Sequence, residues 1–556
     1  MNRYHIIIPS AKVVPPELQK LGKLPAIIYP VNKEVVLDYL LEIYKDNASS
    51  FEIIIYENAE IVERRICDYS NNEINCWKLD HLEDIGYTVY FALKQNKELR
   101  KTPFIINFAD TIVMDDITLC PKDAFYYSED LISSMWTFFE EDNGVICSIT
   151  DKNSDNEVSQ KTGKLFTGVF KIEHSEDFYL CLKDTIEKNR HSSIDSFYAA
   201  LLKYNQSHPL YGIKALEWFD IGHADKYFNS QLSVRARQFN HISIDKNRGI
   251  LKKTSDEKDK FLGEILWYLK LPADIEYVRP RIFSYSTSWS EPYIEMEYYS
   301  YYTVHELFLY GDLSCRQWED IFHKIRFLYN DFSRYKVVGT GILCAMEEMY
   351  KTKTIQRLSL LRNNKNFLPF FSESFTVNGI KYQPLNEIIN QLIFAIDNML
   401  SNKNEFQIIH GDLCFSNILV DSNFTFIKVI DPRGKFGKYD IYGDSRYELA
   451  KLFHSLDGKY DFIIKDLFRI QYCLETRTID YTITDRKQEF DIYELFLRCL
   501  KSEIGNEKKS IELIEALLFL SMIPLHEESL NHQYAMLATG IQILNRIIDI
   551  TMPIKT

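Results

Sequence analysis

Residues 408–434 read IIHGDLCFSNILVDSNFTFIKVIDPRG. Within them His410-Gly411-Asp412 is followed, after a short mixed spacer, by Asn417. An apolar, strand-like run over 426–430 then delivers Asp431 into a Pro-Arg-Gly turn. Transfer of a phosphoryl group to an alcohol needs groups of these kinds. A carboxylate orients the hydroxyl and accepts its proton, while a carboxamide and a second carboxylate hold magnesium on the nucleotide phosphates. Asp412, Asn417 and Asp431 offer them in that order. Taken singly, Asp and Asn are ordinary turn formers. Their joint order and spacing carry the reading.

The order His-x-Asp, Asn, then Asp at a strand end is that of kinase catalytic loops, with D-x-x-G where protein kinases have D-F-G. From His410 to Leu419 the stretch resembles the loop HGDLxxxNIL of the aminoglycoside phosphotransferase and choline kinase superfamily. The resemblance implies Asp412 as catalytic base, Asn417 as a magnesium ligand and Asp431 as the metal carboxylate, with ATP as donor and Mg²⁺ as cofactor. Residues 437–458, GKYDIYGDSRYELAKLFHSLDG, resemble the family's segment in which an aspartate and a helix start brace the loop. Asp444 reads as structural there, and Glu448 stands at the usual helix aspartate. No A-P-E segment follows Gly434, which sets the chain apart from protein kinases. His410 reads as a packing and hydrogen-bonding residue, since Asp412 is the better base. Cys414 reads as packing.

Upstream, 239–254 (FNHISIDKNRGILKKT) carries a hairpin signal, and a helix bearing Glu264 follows in KFLGEILWYLKLP. A strand lysine followed by a helix glutamate is the kinase N-lobe order, in which the pair holds the α- and β-phosphates. Lys253 is the choice for that lysine and Lys252 its rival, because neighbours on a strand face opposite sides. No glycine-rich phosphate loop is present, Gly249 standing alone. Residues 292–299 (PYIEMEYY) fit a strand leading into an adenine-binding hinge. Residues 385–400 have the apolar spacing of an amphipathic helix, and 511–523 read as core helix. His526 and Glu527 read as solvated loop, with a place in the substrate pocket as the alternative.

At 556 residues the chain is too long for one hydrophobic core, so two or three domains are expected. A hydrophobic content of 46% and a charged content of 26% are those of an ordinary soluble globular protein. The formal charge of -14 disfavours nucleic acid and anionic membranes as partners. An acidic surface suits a cationic acceptor such as choline or an aminoglycoside, although net charge does not describe one pocket. The 10 cysteines are scattered without a C-x-x-C pair and read as reduced thiols of a cytoplasmic protein. No signal peptide is visible. The longest mostly apolar run, 516–525, contains Pro524 and is too short to span a membrane.

In the first half, 4–8 read as a strand ending at Pro9, 10–23 as a polar loop, 35–44 as a helix, and 51–56, 87–93 and 104–108 as strands. Strands alternating with helices predict a parallel, doubly wound sheet. In IINFADTIVMDD a strand ends near Asp110, and LEWFDIGHADKYFNS carries Asp220. Carboxylates at strand ends of open α/β sheets can hold a metal against a nucleotide phosphate. A lone Asp110 also suits a turn or helix cap.

These two passages resemble the sugar-phosphate nucleotidyltransferases. The resemblance implies Asp110 and Asp220 as magnesium ligands, 163–172 (GKLFTGVFKI) as the strand supporting the acceptor sugar, and CTP or another nucleoside triphosphate as substrate. The family's G-x-G-T-R loop is missing from 9–30, Ala26 stands where its lysine belongs, and Lys12 and Lys23 are the candidate substitutes.

The expected architecture is thus an α/β, doubly wound, nucleotidyltransferase-like domain over 1–230, then an α+β bilobal kinase-like domain over 231–556. Its N-lobe is expected over about 231–305 and its C-lobe over about 306–556. The expected function is ATP-dependent phosphorylation of a hydroxyl on a small metabolite. The accompanying nucleotidyltransferase-like domain points to an activated precursor of capsule or another surface polysaccharide. The alternatives are a protein kinase and a nucleotide-binding scaffold with a non-catalytic first half. The acceptor and the oligomeric state are not specified by the sequence.

Overall fold

In the computed structural model, the described residues are 3–31, 34–66, 73–131, 135–142, 145–151, 162–188, 194–223, 240–245, 247–311, 313–483 and 490–552. The chain divides into two units, Met1–Ser233 and Val234–Thr556. The change of pattern expected near residue 230, like Cys67, lies outside the described residues.

The first unit is built on the strand Tyr4–Ser10, in which Ile6, Ile7 and Ile8 are fully buried. Such a continuous apolar run belongs at the centre of a sheet covered on both faces. It pairs in parallel with Ala48–Ile55 on one side and Phe104–Asn107 on the other, and Ile74–Lys78 extends the parallel set. The strand runs through Pro9 rather than ending there. Pro9 lies opposite Ile54 on the first ladder, while the second ladder stops at Ile7. The missing amide of Pro9 therefore falls where that second ladder makes no demand on it.

The expected parallel sheet holds for these four strands and is corrected beyond them. The nine-stranded sheet is mixed. The long strand Thr162–Ile172 runs antiparallel to Phe104–Asn107, and also to Ala124–Leu131 and Phe138–Asp142. The strand expected over 87–93 is a helix, Ile85–Gln95. Its β-branched and aromatic residues suggest a strand in isolation. Capping decides otherwise: Asp84 accepts from the Tyr87 amide at 2.8 Å and from the Ser196 amide at 2.8 Å. In return Asp195 accepts from the amides of Ile85 and Gly86 at 3.1 and 3.2 Å. Two helix N-termini thus share two aspartates, each filling orphan donors of the other. The loop expected over 10–23 contains a 3₁₀ turn, Pro16–Leu21, pinned by buried Leu18 and Leu21.

The second unit opens with an antiparallel four-stranded sheet. Its order is Asn240–Asp245, Ile250–Ser255, Tyr293–Glu297, Ile282–Ser286. The helix Lys258–Lys270 follows the hairpin. Most of the remainder is helical, including Lys353–Leu361, Leu385–Met399, Ser445–Leu456, Lys508–Met522 and Leu530–Asn545. Leu385–Met399 buries Leu385, Ile388, Leu392, Ala395 and Ile396, the stripe that its apolar spacing dictates. Short strands frame the loop of interest: Glu405–Ile408 precedes it, and Ile418–Val420 and Ile427–Val429 pair antiparallel after it. Among the described residues no helix is long and apolar enough to cross a membrane. The nine described cysteines are free.

Candidate functional site

One side chain joins the two parts of the second unit. Lys253, buried on the strand Ile250–Ser255, places Nζ 2.8 Å from both carboxylate oxygens of Glu264 and 2.8 Å from Asp431 Oδ1. Burial alone would lower the lysine pKa, but the carboxylates of Asp431 and Glu264 hold it above its ordinary value, so it stays charged. Its neighbour Lys252 faces the other way and pairs with Glu295 at 3.2 Å. The strand pleat settles which of the two lysines meets the helix glutamate.

The helix Lys258–Lys270 offers a whole face to this cluster. Glu264, Trp267 and Tyr268 are three and four residues apart and so lie side by side. Trp267 Nε1 donates to the Ile409 carbonyl at 2.7 Å, and its ring meets His410 edge-on at 5.4 Å. The Asp431 amide donates to Tyr268 Oη at 3.1 Å. Gly434 completes the junction: its φ is +67°, and a Cβ there would lie 2.0 Å from the Gly263 carbonyl oxygen. Only glycine accepts both that conformation and that approach. Asp431 itself has φ +56° and precedes Pro432. A non-glycine residue in the left-handed region is strained, and such strain gathers at functional sites.

Asp412 lies on the loop 410–417. Asn417 Nδ2 donates to the Asp412 carbonyl at 2.9 Å and to its Oδ2 at 3.3 Å. Lys451 Nζ stands 2.8 Å from Asp412 Oδ1. The Asp412 side chain keeps 40% exposure, so an incoming group can reach it. Burial of the group works to raise its pKa, but Lys451, with His410 and Arg433, pulls it down to about 2. Asp412 is therefore a carboxylate throughout the neutral range. His410 is fully buried, donates from Nε2 to the Ile430 carbonyl at 3.0 Å, and accepts from the Asp412 amide at Nδ1, 3.3 Å away. Burial lowers its pKa to about 4, which keeps the ring neutral. Full burial with both ring nitrogens engaged takes it out of reach of a substrate proton.

The loop is anchored by Glu448, whose carboxylate accepts from the amides of His410 and Gly411 at 2.8 and 2.7 Å. Burial pushes its pKa up to about 7 while the two amides favour the charged form. Each buried amide left without a partner costs roughly 1–3 kcal/mol. Glu448→Ala is expected to lower the calorimetric unfolding midpoint of the second unit by several degrees, and an unchanged midpoint would refute the anchoring role. Asp444 caps the same helix and binds Arg446 and Tyr350. Cys414 is buried beside Ser416, and burial pushes its thiol up to about 12.

Oxygen donors among these residues include the Asp431 carboxylate, 52% exposed, and the Asn417 carboxamide. Both are hard oxygen donors, which suit Mg²⁺.

In the first unit, Asp110 lies in the turn between Phe104–Asn107 and Thr111–Val113, and Asp220 ends the strand Trp218–Asp220. Those last two strands pair antiparallel with Asp220 opposite Thr111. The Ile221 amide donates to the Asp110 carbonyl at 2.8 Å. Both carboxylates converge on Gly222: a Cβ there would sit 2.7 Å from Asp110 Oδ2 and 3.2 Å from Asp220 Oδ1. Asn107 pins the turn, donating to the carbonyls of Phe108 and Thr111 at 2.9 Å each and accepting from Tyr44 Oη at 2.9 Å. Two converging carboxylates again suit a hard divalent cation. The segment after the first strand offers little to a triphosphate. The Val13 amide donates to Glu57 at 3.0 Å, the Val14 amide to the Leu24 carbonyl at 2.9 Å, and Lys12 and Lys23 are exposed.

Sequence reasoning missed Lys451, Arg433, Trp267 and Tyr268 as neighbours of these groups. Lys451 had one available signal: it lies three residues after Glu448, on the helix already read as bracing the loop.

No protein-family model matches the chain, and no curated protein matches it. The N-terminal 41% is similar in structure to nucleotidyltransferases. One is the CTP:phosphocholine cytidylyltransferase of Streptococcus pneumoniae, at 15% identity, covering 41% of this chain and 98% of that one, with a TM-score of 0.34. Another is the inositol-1-phosphate CTP transferase of T. maritima, at 13% identity, 42% and 99% coverage and a TM-score of 0.31. A third is a putative glucose-1-phosphate thymidylyltransferase of Bacillus anthracis, at 13% identity, 42% and 97% coverage and a TM-score of 0.34.

Proposed function

We propose that the second unit transfers the γ-phosphoryl group of ATP to a hydroxyl of a small molecule. The observation that carries this is Lys253 held between Glu264 and Asp431, together with Asp412 and Asn417 on the adjoining loop. In this reading 231–305 act as the N-lobe and 306–556 as the C-lobe of a bilobal kinase. Lys253 binds the nucleotide phosphates and is held in place by Glu264. Asn417 and Asp431 would hold Mg²⁺, which when bound offsets negative charge on those phosphates. Asp412 orients the acceptor hydroxyl. As its oxygen bonds to the γ-phosphorus, the bond from phosphorus to the β–γ bridging oxygen breaks, ADP leaves, and the hydroxyl proton passes to the Asp412 carboxylate. Lys451 holds that carboxylate in position. The test is ADP release by the full chain with Mg²⁺ and ATP across a set of small hydroxyl compounds. Release only with protein substrates would instead favour a protein kinase.

For the first unit we propose nucleotidyl transfer from CTP or another nucleoside triphosphate to the phosphorylated product of the second. Convergence of Asp110 and Asp220 on Gly222 supports this reading. The two steps in series would yield a nucleotide-diphospho donor of the type used for capsule or other surface polysaccharide. Asp110→Ala and Asp220→Ala are each expected to abolish pyrophosphate release and leave ADP release intact. The assay supplies the phosphorylated product with each of the four common nucleoside triphosphates. The amides of Val13 and Val14, already committed within the chain, favour a second reading in which this unit is a binding scaffold. No pyrophosphate with any of the four triphosphates would decide for it.

A further inference from the structure

The catalytic-loop aspartate faces more positive charge than nucleotide binding uses. Lys451 pairs with Asp412 at 2.8 Å. Arg433, two residues after Asp431, donates from Nη1 to Tyr447 Oη at 3.0 Å, and its amide donates to the His410 carbonyl at 3.0 Å. Lys353 and Arg357 stand four residues apart on the helix Lys353–Leu361, hence on one face. Arg357 donates from Nη1 to the Ser521 carbonyl at 3.2 Å. Contacts join these residues. Arg433 Nη2 lies 4.0 Å from Met349 Sδ, four residues before Lys353. Tyr447, which accepts from Arg433, lies four residues before Lys451. Lys353 also lies within the fields of Arg433, Arg357, Lys451 and Asp412.

The pairing inside the cluster is incomplete. Asp412 is matched by Lys451. Lys353, Arg357 and Arg433 have no carboxylate partner among the described residues, and all three are part-buried. Burial, then Arg433, Arg357 and Lys451, push the Lys353 pKa down to about 6. Part-buried cations without counter-ions repel one another, and an anion entering among them relieves that repulsion. Two guanidinium groups match a carboxylate or a phosphate, which the planar guanidinium binds through paired N–H donors, and an entering anion favours protonation of the Lys353 amine as a third cation.

We propose that the phosphate acceptor is itself an anion, a small hydroxy acid or a polyol or sugar monophosphate. Its charged group lies against Lys353, Arg357 and Arg433, and its hydroxyl faces Asp412. This rests on the kinase reading of the second unit and adds a substrate class to it. The site repels choline or an aminoglycoside, whatever the net charge of -14 favours at the surface.

The nucleotide is the other source of phosphate, and the test separates the two. Full-length protein with Mg²⁺ and ATP is assayed for ADP release against glycerate and glycerol 3-phosphate, against glycerol and glucose, and against choline and kanamycin. Release is expected with the anionic set. Lys353→Gln and Arg357→Gln are each expected to raise the acceptor KM by roughly tenfold or more while the ATP KM holds. Preference for neutral or cationic acceptors overturns the anion assignment and leaves the kinase reading standing. So does a raised ATP KM with an unchanged acceptor KM. A second measurement covers a screen without turnover: inorganic phosphate and glycerate are expected to slow acylation of Lys353, read by mass spectrometry. No protection in a protein that binds Mg·ATP overturns the anion site, whereas no Mg²⁺-dependent ATP binding overturns the kinase reading and this proposal with it.

Discussion

Asp412→Asn is expected to lower phosphoryl-transfer turnover by about 10²–10⁴-fold while Mg·ATP affinity stays close to that of the unsubstituted chain. The amide keeps the shape of the side chain and the Asn417 bond to the residue 412 carbonyl, but it cannot accept the hydroxyl proton. It also leaves Lys451 without its anionic partner. Lys451→Met in the same background restores charge balance and serves as the control. Recovered stability without recovered turnover is the expected result, because the missing function is proton acceptance. Near-normal turnover in Asp412→Asn would remove Asp412 as the base and require a different proton acceptor.

Lys253→Met is expected to cost stability as well as binding. Removing one member of a buried ion pair costs roughly 3–5 kcal/mol, and here the loss leaves Glu264 buried next to Asp431 with no cation between them. A strong charge-assisted hydrogen bond is worth about 1.5–3 kcal/mol, so Mg·ATP affinity should fall about 10–100-fold. The double variant Lys253→Met, Glu264→Gln removes the stranded charge. It should regain much of the stability and none of the nucleotide affinity. Urea unfolding and calorimetric titration of the full chain separate the two effects. Equal losses of stability in the single and double variants would mean that Lys253 and Glu264 do not act as a pair.

The grouping of Asp412, Asn417 and Asp431 is legible in the sequence because the three lie within 20 residues on one loop-strand unit. The pairing of Lys253 with Glu264 is legible for a related reason: a hairpin followed at once by a helix leaves few ways for the two to meet. Choosing Lys253 over Lys252 needs only the strand pleat, once it is known which face meets the helix. Lys353, Arg357, Arg433 and Lys451 are not legible as a cluster. They come from three separate segments and are joined by tertiary packing alone. In the first unit the convergence of Asp110 and Asp220 depends on a two-strand pairing across more than 100 residues, which no local pattern reports. The misread strand over 87–93 shows a tertiary contact deciding local structure. Asp84 and Asp195 each satisfy amides of the other's helix, and that exchange outweighs the strand preference of the intervening residues.

The central claim, that the second unit is a Mg²⁺-dependent ATP phosphotransferase, is tested most directly by calorimetric titration of ATP into the full-length chain, with and without Mg²⁺. The proteins compared are the unsubstituted chain, Asp412→Asn and Asp431→Ala. The expected result is Mg²⁺-dependent binding to the first two and weakened, Mg²⁺-insensitive binding to Asp431→Ala, because only that variant lacks the carboxylate proposed to hold the metal. Equal binding by all three with no response to Mg²⁺, or no binding by any, would contradict it.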